Sequence, residues 1–219
     1  MSDQKNYMMY GLSREKVLAR IRNALAGISK DTSRHVNLSA PVLKPLVDTP
    51  DVAFARAFTE TGGSFVYCGS IKEFQVKLIG LMEERSWQSV YCRDKTLQAL
   101  LKDLKIPYTY SDKGLQGSAA AITRCEYLVA RFGSVMVSSG TGSGRKAHVY
   151  PDTHLVFAFT SQIVQEIKDA FINIQQKYKR AIPSMVSFIT GPSRTADIEK
   201  TLVMGAHGPG ELILFLVES

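Results

Sequence analysis

Two glycine-rich turns carry the residue types best suited to gripping a small anion: Gly140-Thr141-Gly142-Ser143-Gly144-Arg145-Lys146 and Thr190-Gly191-Pro192-Ser193-Arg194-Thr195-Ala196-Asp197. Each follows an apolar, strand-like run. Glycine permits positive φ and close backbone approach, so peptide N–H groups in such a turn converge on one point, and an arginine beside them adds charged donors. In the first turn Gly142, Ser143, Gly144 and Arg145 are the candidate ligand-binding residues. The turn has neither the Gly-Lys-Ser/Thr ending of a P-loop nor a dinucleotide spacing, so an anion grip and a solvated loop are both compatible with it. In the second turn Gly191, Ser193, Arg194 and Thr195 stand where a strand hands over to an expected helix from about Thr195 to Met204. The N-terminus of that helix would favour a negative charge by roughly 0.3–1 kcal/mol. The structural alternative is that Ser193 or Thr195 caps the helix while Asp197 complements its dipole.

His154 follows Pro151-Asp152-Thr153 at the head of a strand, and His207 lies between Gly205 and Gly208-Pro209. Each is either a satisfied structural group or a ligand contact, and its position in a loop favours His207 for function. Asp152 is the one carboxylate beside a glycine-rich turn that is able to act as a base. No Ser-His-Asp order and no carboxylate pair accompanies these residues, so no catalytic residue is assigned. Cys68, Cys92 and Cys125 are too far apart for a C-x-x-C metal clip, and an odd count argues against a disulfide framework. The expectation is three reduced thiols, no metal and no cofactor of the chain's own.

These residues need a scaffold, and the pattern of elements supplies one. Ser13 caps an amphipathic helix with the stripe Val17, Ile21, Leu25 and Ile28; from Ser29 to Asp48 the periodicity is lost and Pro41 and Pro45 intervene. Residues 1–48 therefore read as an N-terminal helical arm and 49–219 as one α/β domain. Thr49-Pro50 starts a helix ending at Gly62-Gly63, followed by the strand Ser64–Cys68. A capping box from Ser70 to Glu73 opens the next helix, the strand Ser89–Cys92 follows, and Asp94 caps a helix through Leu104. This alternation is the signature of a mostly parallel, Rossmann-like sheet. The repeated Val-Tyr-Cys endings at Cys68 and Cys92 either face a site at the carboxyl edge of that sheet or fill the core.

Further along, an alanine-rich helix is expected between Gly114 and Arg131, then a hairpin about Gly133 from Tyr127–Ala130 to Val135–Val137. The strand His154–Phe159 resumes the sheet. Ser161 is expected to cap a helix with the stripe Ile163, Ile167, Phe171, Ile174 and Tyr178, and Met185–Ile189 and Leu212–Val217 read as strands.

At 219 residues, 45% hydrophobic and 21% charged, the chain has the profile of a single globular domain with an extension. A net charge of +7 is scattered along it, and no nucleic-acid-binding signature accompanies it, so an acidic protein partner or an anionic ligand explains the charge better than nucleic acid. No apolar run approaches the roughly 20 residues needed to cross a bilayer, and Met1 to Tyr10 does not read as a signal peptide, so the cytoplasm is the expected location.

The runs Gly133-Ser134-Val135, Ser143-Gly144-Arg145, Pro151-Asp152-Thr153-His154, Thr190 to Glu199 and Gly205-Ala206-His207-Gly208-Pro209 closely resemble the LUD domain of lactate-utilisation protein C, the LutC/YkgG family. The resemblance runs from about residue 50 to the end. It implies a fold of the sugar-phosphate isomerase and CoA-transferase (NagB/RpiA/CoA transferase-like) group, with a ligand site at strand carboxyl ends. It also implies an accessory role in oxidising L-lactate to pyruvate beside an iron-sulfur subunit and a cysteine-rich subunit. Arg131 departs from the pattern, standing where many relatives carry an acid, and the chain lacks ferredoxin-type cysteine clusters. On this reading a small anionic ligand is held by Gly191, Ser193, Arg194 and Thr195, with Gly142, Ser143, Gly144 and Arg145 opposite and His154 and His207 nearby. The apolar stripe of the N-terminal helix must be buried, and the helix either serves association, with partner subunits or as a homo-oligomer, or completes the core of its own domain. The alternative is a stand-alone enzyme acting on a phosphorylated or CoA-linked metabolite.

Overall fold

The computed structural model describes residues 15–23, 43, 45–111, 115, 118–198, 201–204 and 207–219. The chain divides into two compact units, Met1–Lys44 and Pro45–Ser219. In the first, residues 15–23 are helical. Val17 and Ile21 of the expected stripe are 51% and 47% exposed, while Leu25 and Ile28 lie outside the described residues.

The second unit is built on a six-stranded parallel sheet in the order β1-β12-β7-β4-β2-β3. The strands are β1 (Ser64–Cys68), β2 (Val90–Tyr91), β3 (Tyr108–Thr109), β4 (Ala120–Arg124), β7 (Thr153–Phe159) and β12 (Glu211–Val217). Helices α2 (Ile71–Glu84) and α3 (Lys95–Asp103) provide crossovers, and both start where the capping residues dictate. Ser70 accepts from Glu73 N at 3.2 Å, and the Asp94 carboxylate accepts from the amides of Thr96 and Leu97.

Both faces of the central strands are buried, so β7 and β12 are apolar at nearly every position. Leu155, Phe157, Ile213 and Phe215 pack against Phe74, Leu78, Leu97 and Leu101 of α2 and α3. Val156, Ala158, Leu214 and Leu216 point the other way, onto Phe54 and Phe58 of α1 (Pro50–Glu60) and onto a second sheet. That sheet has the order β8-β5-β6-β9, from β5 (Tyr127–Val129), β6 (Ser134–Ser138), β8 (Ile163–Val164) and β9 (Val186–Ile189). Its far face, through Val129 and Met136, is covered by Ala170 and Ile174 of α4 (Ile167–Tyr178). Gly133 makes the β5-β6 connection with φ 57°, and a side chain there would collide with the backbone of Ala57 and Phe58.

Three expectations are corrected. The alanine-rich run is not helical: Ala120 and Ala121 belong to β4, between β7 and β2, where complete burial on both faces overrides alanine's helix propensity. Ser161 caps no helix, because residues 160–162 form a 3₁₀ turn and Ile163–Val164 pair with Leu128 and Val129; α4 begins only after Glu166. The expected helix from Thr195 to Met204 is an antiparallel hairpin of β10 (Arg194–Ile198) and β11 (Thr201–Met204). There is consequently no helix N-terminus behind the second glycine-rich turn.

Candidate functional site

β7 and β12 lie side by side, with His154 opposite Leu212, and their amino ends form the floor of a cavity of about 260 Å3. Strand alternation puts His154 on the face shared by Val156 and Ala158. His148 reaches the same place from the end of the 3₁₀ turn Lys146–His148. Thr190, Gly191 and Ser193, leaving β9, and His207 and Gly208, entering β12, complete the wall.

The two loops are tied to each other and to the fold. Ser193 N donates to Pro209 O at 2.8 Å, and the hydroxyls of Thr190 and Ser134 lie 2.7 Å apart. Gly191 takes φ 79°, and the carbonyl of Thr61 occupies the space a side chain would need. The cavity wall combines apolar side chains, Val149, Phe188, Ile189 and Leu212, with a few polar groups, the composition expected of a small-molecule site.

At the back of the cavity two imidazoles meet. His154 Nε2 is 2.8 Å from Thr123 Oγ1 and 3.5 Å from His148 Nδ1, and the ring centroids are 5.3 Å apart. His154 is fully buried and His148 is 7% exposed. Their remaining nitrogens, His148 Nε2 and His154 Nδ1, are buried without a protein partner. Burial drives the pKa of His148 down to about 4, and burial followed by the neighbouring His148 holds that of His154 well below the usual range. At neutral pH both rings are uncharged and together offer donors and acceptors without fixed charge.

The structure brings Gly191, Ser193, His154 and His207 of the expected set into one cavity and leaves the others elsewhere. Arg194 is exposed and donates from Nη2 to Thr61 O at 2.6 Å. Thr195 lies in β10 opposite Val203. Gly142 and Gly144 take positive φ, 81° and 75°, Ser143 is buried, and Arg145 donates to Ser184 Oγ at 2.8 Å. None of Gly142, Ser143, Gly144 and Arg145 lines the histidine cavity. Asp152 is exposed, and only its carbonyl is engaged, by Glu211 N. Cys68, Cys92 and Cys125 are free and buried, with burial pushing the thiols of Cys92 and Cys125 up to about 12.

A second cavity, about 440 Å3, opens at the carboxyl ends of β4 and β7 and takes Gly140 and Thr141 from the first turn. Arg124 and Lys177 stand in its wall, both paired. Arg124 clamps Asp94 at 2.6 and 3.0 Å, and Lys177 meets the buried Glu126 at 2.7 Å. Ser138 and Tyr178 also donate to Glu126. Burial pushes that carboxyl up, but hydrogen bonds from Lys177, Ser138 and Tyr178 outweigh it and hold the pKa below the usual glutamate range. Arg131 is occupied with Glu166, at 2.7 Å from its Nε, and belongs to neither cavity.

Sequence reasoning passed over His148 and Glu126. The six-residue interval from His148 to His154 has no helical or strand meaning, since a 3₁₀ turn and a loop intervene. The detectable signal for Glu126 was a lone acid inside an otherwise apolar stretch. Among the described residues, no group of three or more His, Cys, Asp or Glu side chains is placed to hold a metal ion. None of their helices is long and apolar enough to cross a membrane.

A family model described as the LUD domain matches residues 53–217. The chain belongs to the LUD domain family. The LUD chain is 26% identical over 199 residues to lactate utilization protein C of Bacillus licheniformis, covering 90% of this chain and 80% of that protein. It is 40% identical over 90 residues to the protein of that name from a Geobacillus species, covering 40% of this chain and 37% of that one. The Bacillus subtilis protein is 35% identical over 107 residues, 48% of this chain and 45% of its own length. The chain thus spans less than half of the last two relatives. In three dimensions it resembles a DUF162 family protein from Deinococcus radiodurans, with a TM-score of 0.61 and 17% identity over 79% of this chain and 99% of that one. That likeness is one of fold.

Proposed function

We propose that this LUD protein is an accessory component of an L-lactate utilisation system, and that it binds a small anionic ligand in the cavity formed by Gly191, Ser193, His148, His154 and His207. The observation that carries the system-level part is the match, over most of both chains, to a relative named lactate utilization protein C. The binding part draws on two buried imidazole nitrogens without protein partners at the back of the cavity, because such groups cost free energy unless something satisfies them. Its partners on this reading are an iron-sulfur subunit and a cysteine-rich subunit, which would carry the electrons. Kinship with the sugar-phosphate isomerase and CoA-transferase group, and a cytoplasmic location, belong to the same proposal.

The test is genetic and biochemical together. A strain lacking the chain should fail to grow on L-lactate as sole carbon source, and the tagged chain should retrieve iron-sulfur proteins from lactate-grown cells. Normal growth on lactate would overturn the reading.

A stand-alone enzyme acting on a phosphorylated or CoA-linked metabolite is the second reading. It draws on the carboxyl-end cavity, where Arg124 and Lys177 stand in the wall. Turnover of such a metabolite by the purified chain without partners would favour it.

A further inference from the structure

The histidine cavity has an electrostatic peculiarity. Among the described residues its wall contains no lysine or arginine, the strand leaving the second turn provides no helix dipole, and Arg194 is directed to Thr61 O. A carboxylate entering alone would meet only neutral dipoles, and burying an unpaired charge is costly. What the cavity does contain is a pair of rings that bond to each other and keep one free nitrogen each.

The tautomers of the pair are coupled. If His148 Nδ1 donates to His154 Nε2, then His148 Nε2 is an acceptor and His154 Nδ1 a donor; if His154 Nε2 donates, both roles reverse. Thr123 Oγ1, 2.8 Å from His154 Nε2, shares that site, and a proton added at a free nitrogen that carries a lone pair makes an imidazolium beside its neighbouring ring.

We propose that the cavity takes a small monocarboxylate together with one proton drawn from solvent, and that the His148–His154 pair holds that proton against the bound carboxylate. This rests on reading the cavity as a small-anion site. The volume and the apolar share of the wall, Val149, Phe188, Ile189 and Leu212, suit a ligand of few heavy atoms and a single charge. A dianion would need a second positive group. Among the described residues no carboxylate is bonded to the pair to hold the proton in the ligand's place. From the neighbouring elements, Thr123 on β4 offers only a hydroxyl and His207 stands at the exposed rim. Glu211 on β12 is bonded to Arg85 and Thr153, and Asp152 is exposed at the head of β7. Arg145 and Lys146, beside the turn that carries His148, are exposed.

Isothermal titration of the full chain with L-lactate, pyruvate and inorganic phosphate, in buffers of different ionisation enthalpy at pH 7, measures the proton directly. Uptake of about one proton with lactate or pyruvate is expected, with affinity weakening about tenfold per pH unit between pH 7 and 8. Ring ¹⁵N spectra should show a single imidazolium, carried by His148 or His154, appearing on saturation. His148→Gln should lower the uptake to less than half, and the spectra give the same answer if that variant fails to fold. Carboxylate binding without proton uptake overturns the role of the pair but leaves the anion site standing. Phosphate binding in place of the carboxylates overturns the ligand class. Absence of binding by all three overturns this proposal and the cavity reading together.

Discussion

Arg194 Nη2 lies 2.6 Å from the carbonyl oxygen of Thr61, at the C-terminal end of α1. The guanidinium that the sequence places beside a glycine-rich turn therefore closes a helix end, against Gly62, and does not line the histidine cavity. Arg194→Ala is expected to cost about 1 kcal/mol, which in a chain of this size lowers Tm by roughly 2–4 °C. The Tm increase produced by saturating L-lactate should be unchanged. A variant that loses this increase would return Arg194 to the site.

Gly133 and Gly191 both take positive φ against backbone that leaves no room for a side chain. Gly133→Ala combines left-handed strain with a collision against Phe58 N, and about 2–5 kcal/mol of destabilisation is expected. Denaturant titration should show a reduced midpoint with an unchanged slope. A loss under 1 kcal/mol would mean that the β5-β6 turn does not press on α1 as described.

Much of the scaffold is legible because its signals are local. Ser70, Asp94 and Gly133 declare caps and a turn through their own side chains or lack of one, and the structure uses all three in that way. The failures occur where tertiary context decides. Ala120 and Ala121 favour a helix in isolation but are small enough for the middle of a doubly covered sheet. Gly191-Pro192-Ser193 followed by Asp197 has the composition of a helix start, yet the chain turns back after Ile198 and pairs with itself. Of the ten residues expected at the site, four, Gly191, Ser193, His154 and His207, share a cavity, while His148 enters it only because the fold returns that loop to the head of β7.

The paired histidines make stability depend on pH in a defined direction. Burial lowers the folded-state pKa of His148 to about 4, below the unfolded value near 6.5, and lowers that of His154 as well. Between those limits the unfolded chain binds more protons, so their contribution is intact above pH 6.5 and is lost as pH falls toward 4. Each ring accounts for up to about 1.4 kcal/mol per pH unit over that range. Urea midpoints at pH 7, 6 and 5 should fall, and the double variant His148→Leu with His154→Leu should flatten the slope. An unchanged slope in that variant would show that the rings are not buried neutral.

Glu126 gives a separate acid response. Its folded-state pKa is lowered, so the stabilisation from Lys177, Ser138 and Tyr178 is present above the unfolded value near 4.3 and is lost as pH falls through the folded value. Glu126→Gln should cost about 1.5–3 kcal/mol at pH 7 and much less at pH 3. An equal cost at both values would show that the carboxylate is not charged in the folded protein.

Cys68, Cys92 and Cys125 should behave as core residues. Their thiols are buried, and those of Cys92 and Cys125 are pushed up to about 12, so almost no thiolate exists at neutral pH. A thiol reagent such as DTNB should label none of the three in minutes under native conditions and all three in denaturant. Rapid labelling of the native chain would place a cysteine at an accessible site.

On the proposed function, the cavity at the amino ends of β7 and β12 is where this LUD protein binds its ligand. A crystal structure of the chain with saturating L-lactate tests this most directly. Ordered lactate is expected within hydrogen-bonding distance of His148 Nε2 or His154 Nδ1 and beside Gly191 and Ser193. Lactate ordered instead in the carboxyl-end cavity beside Arg124 and Lys177, or in neither cavity, would contradict it.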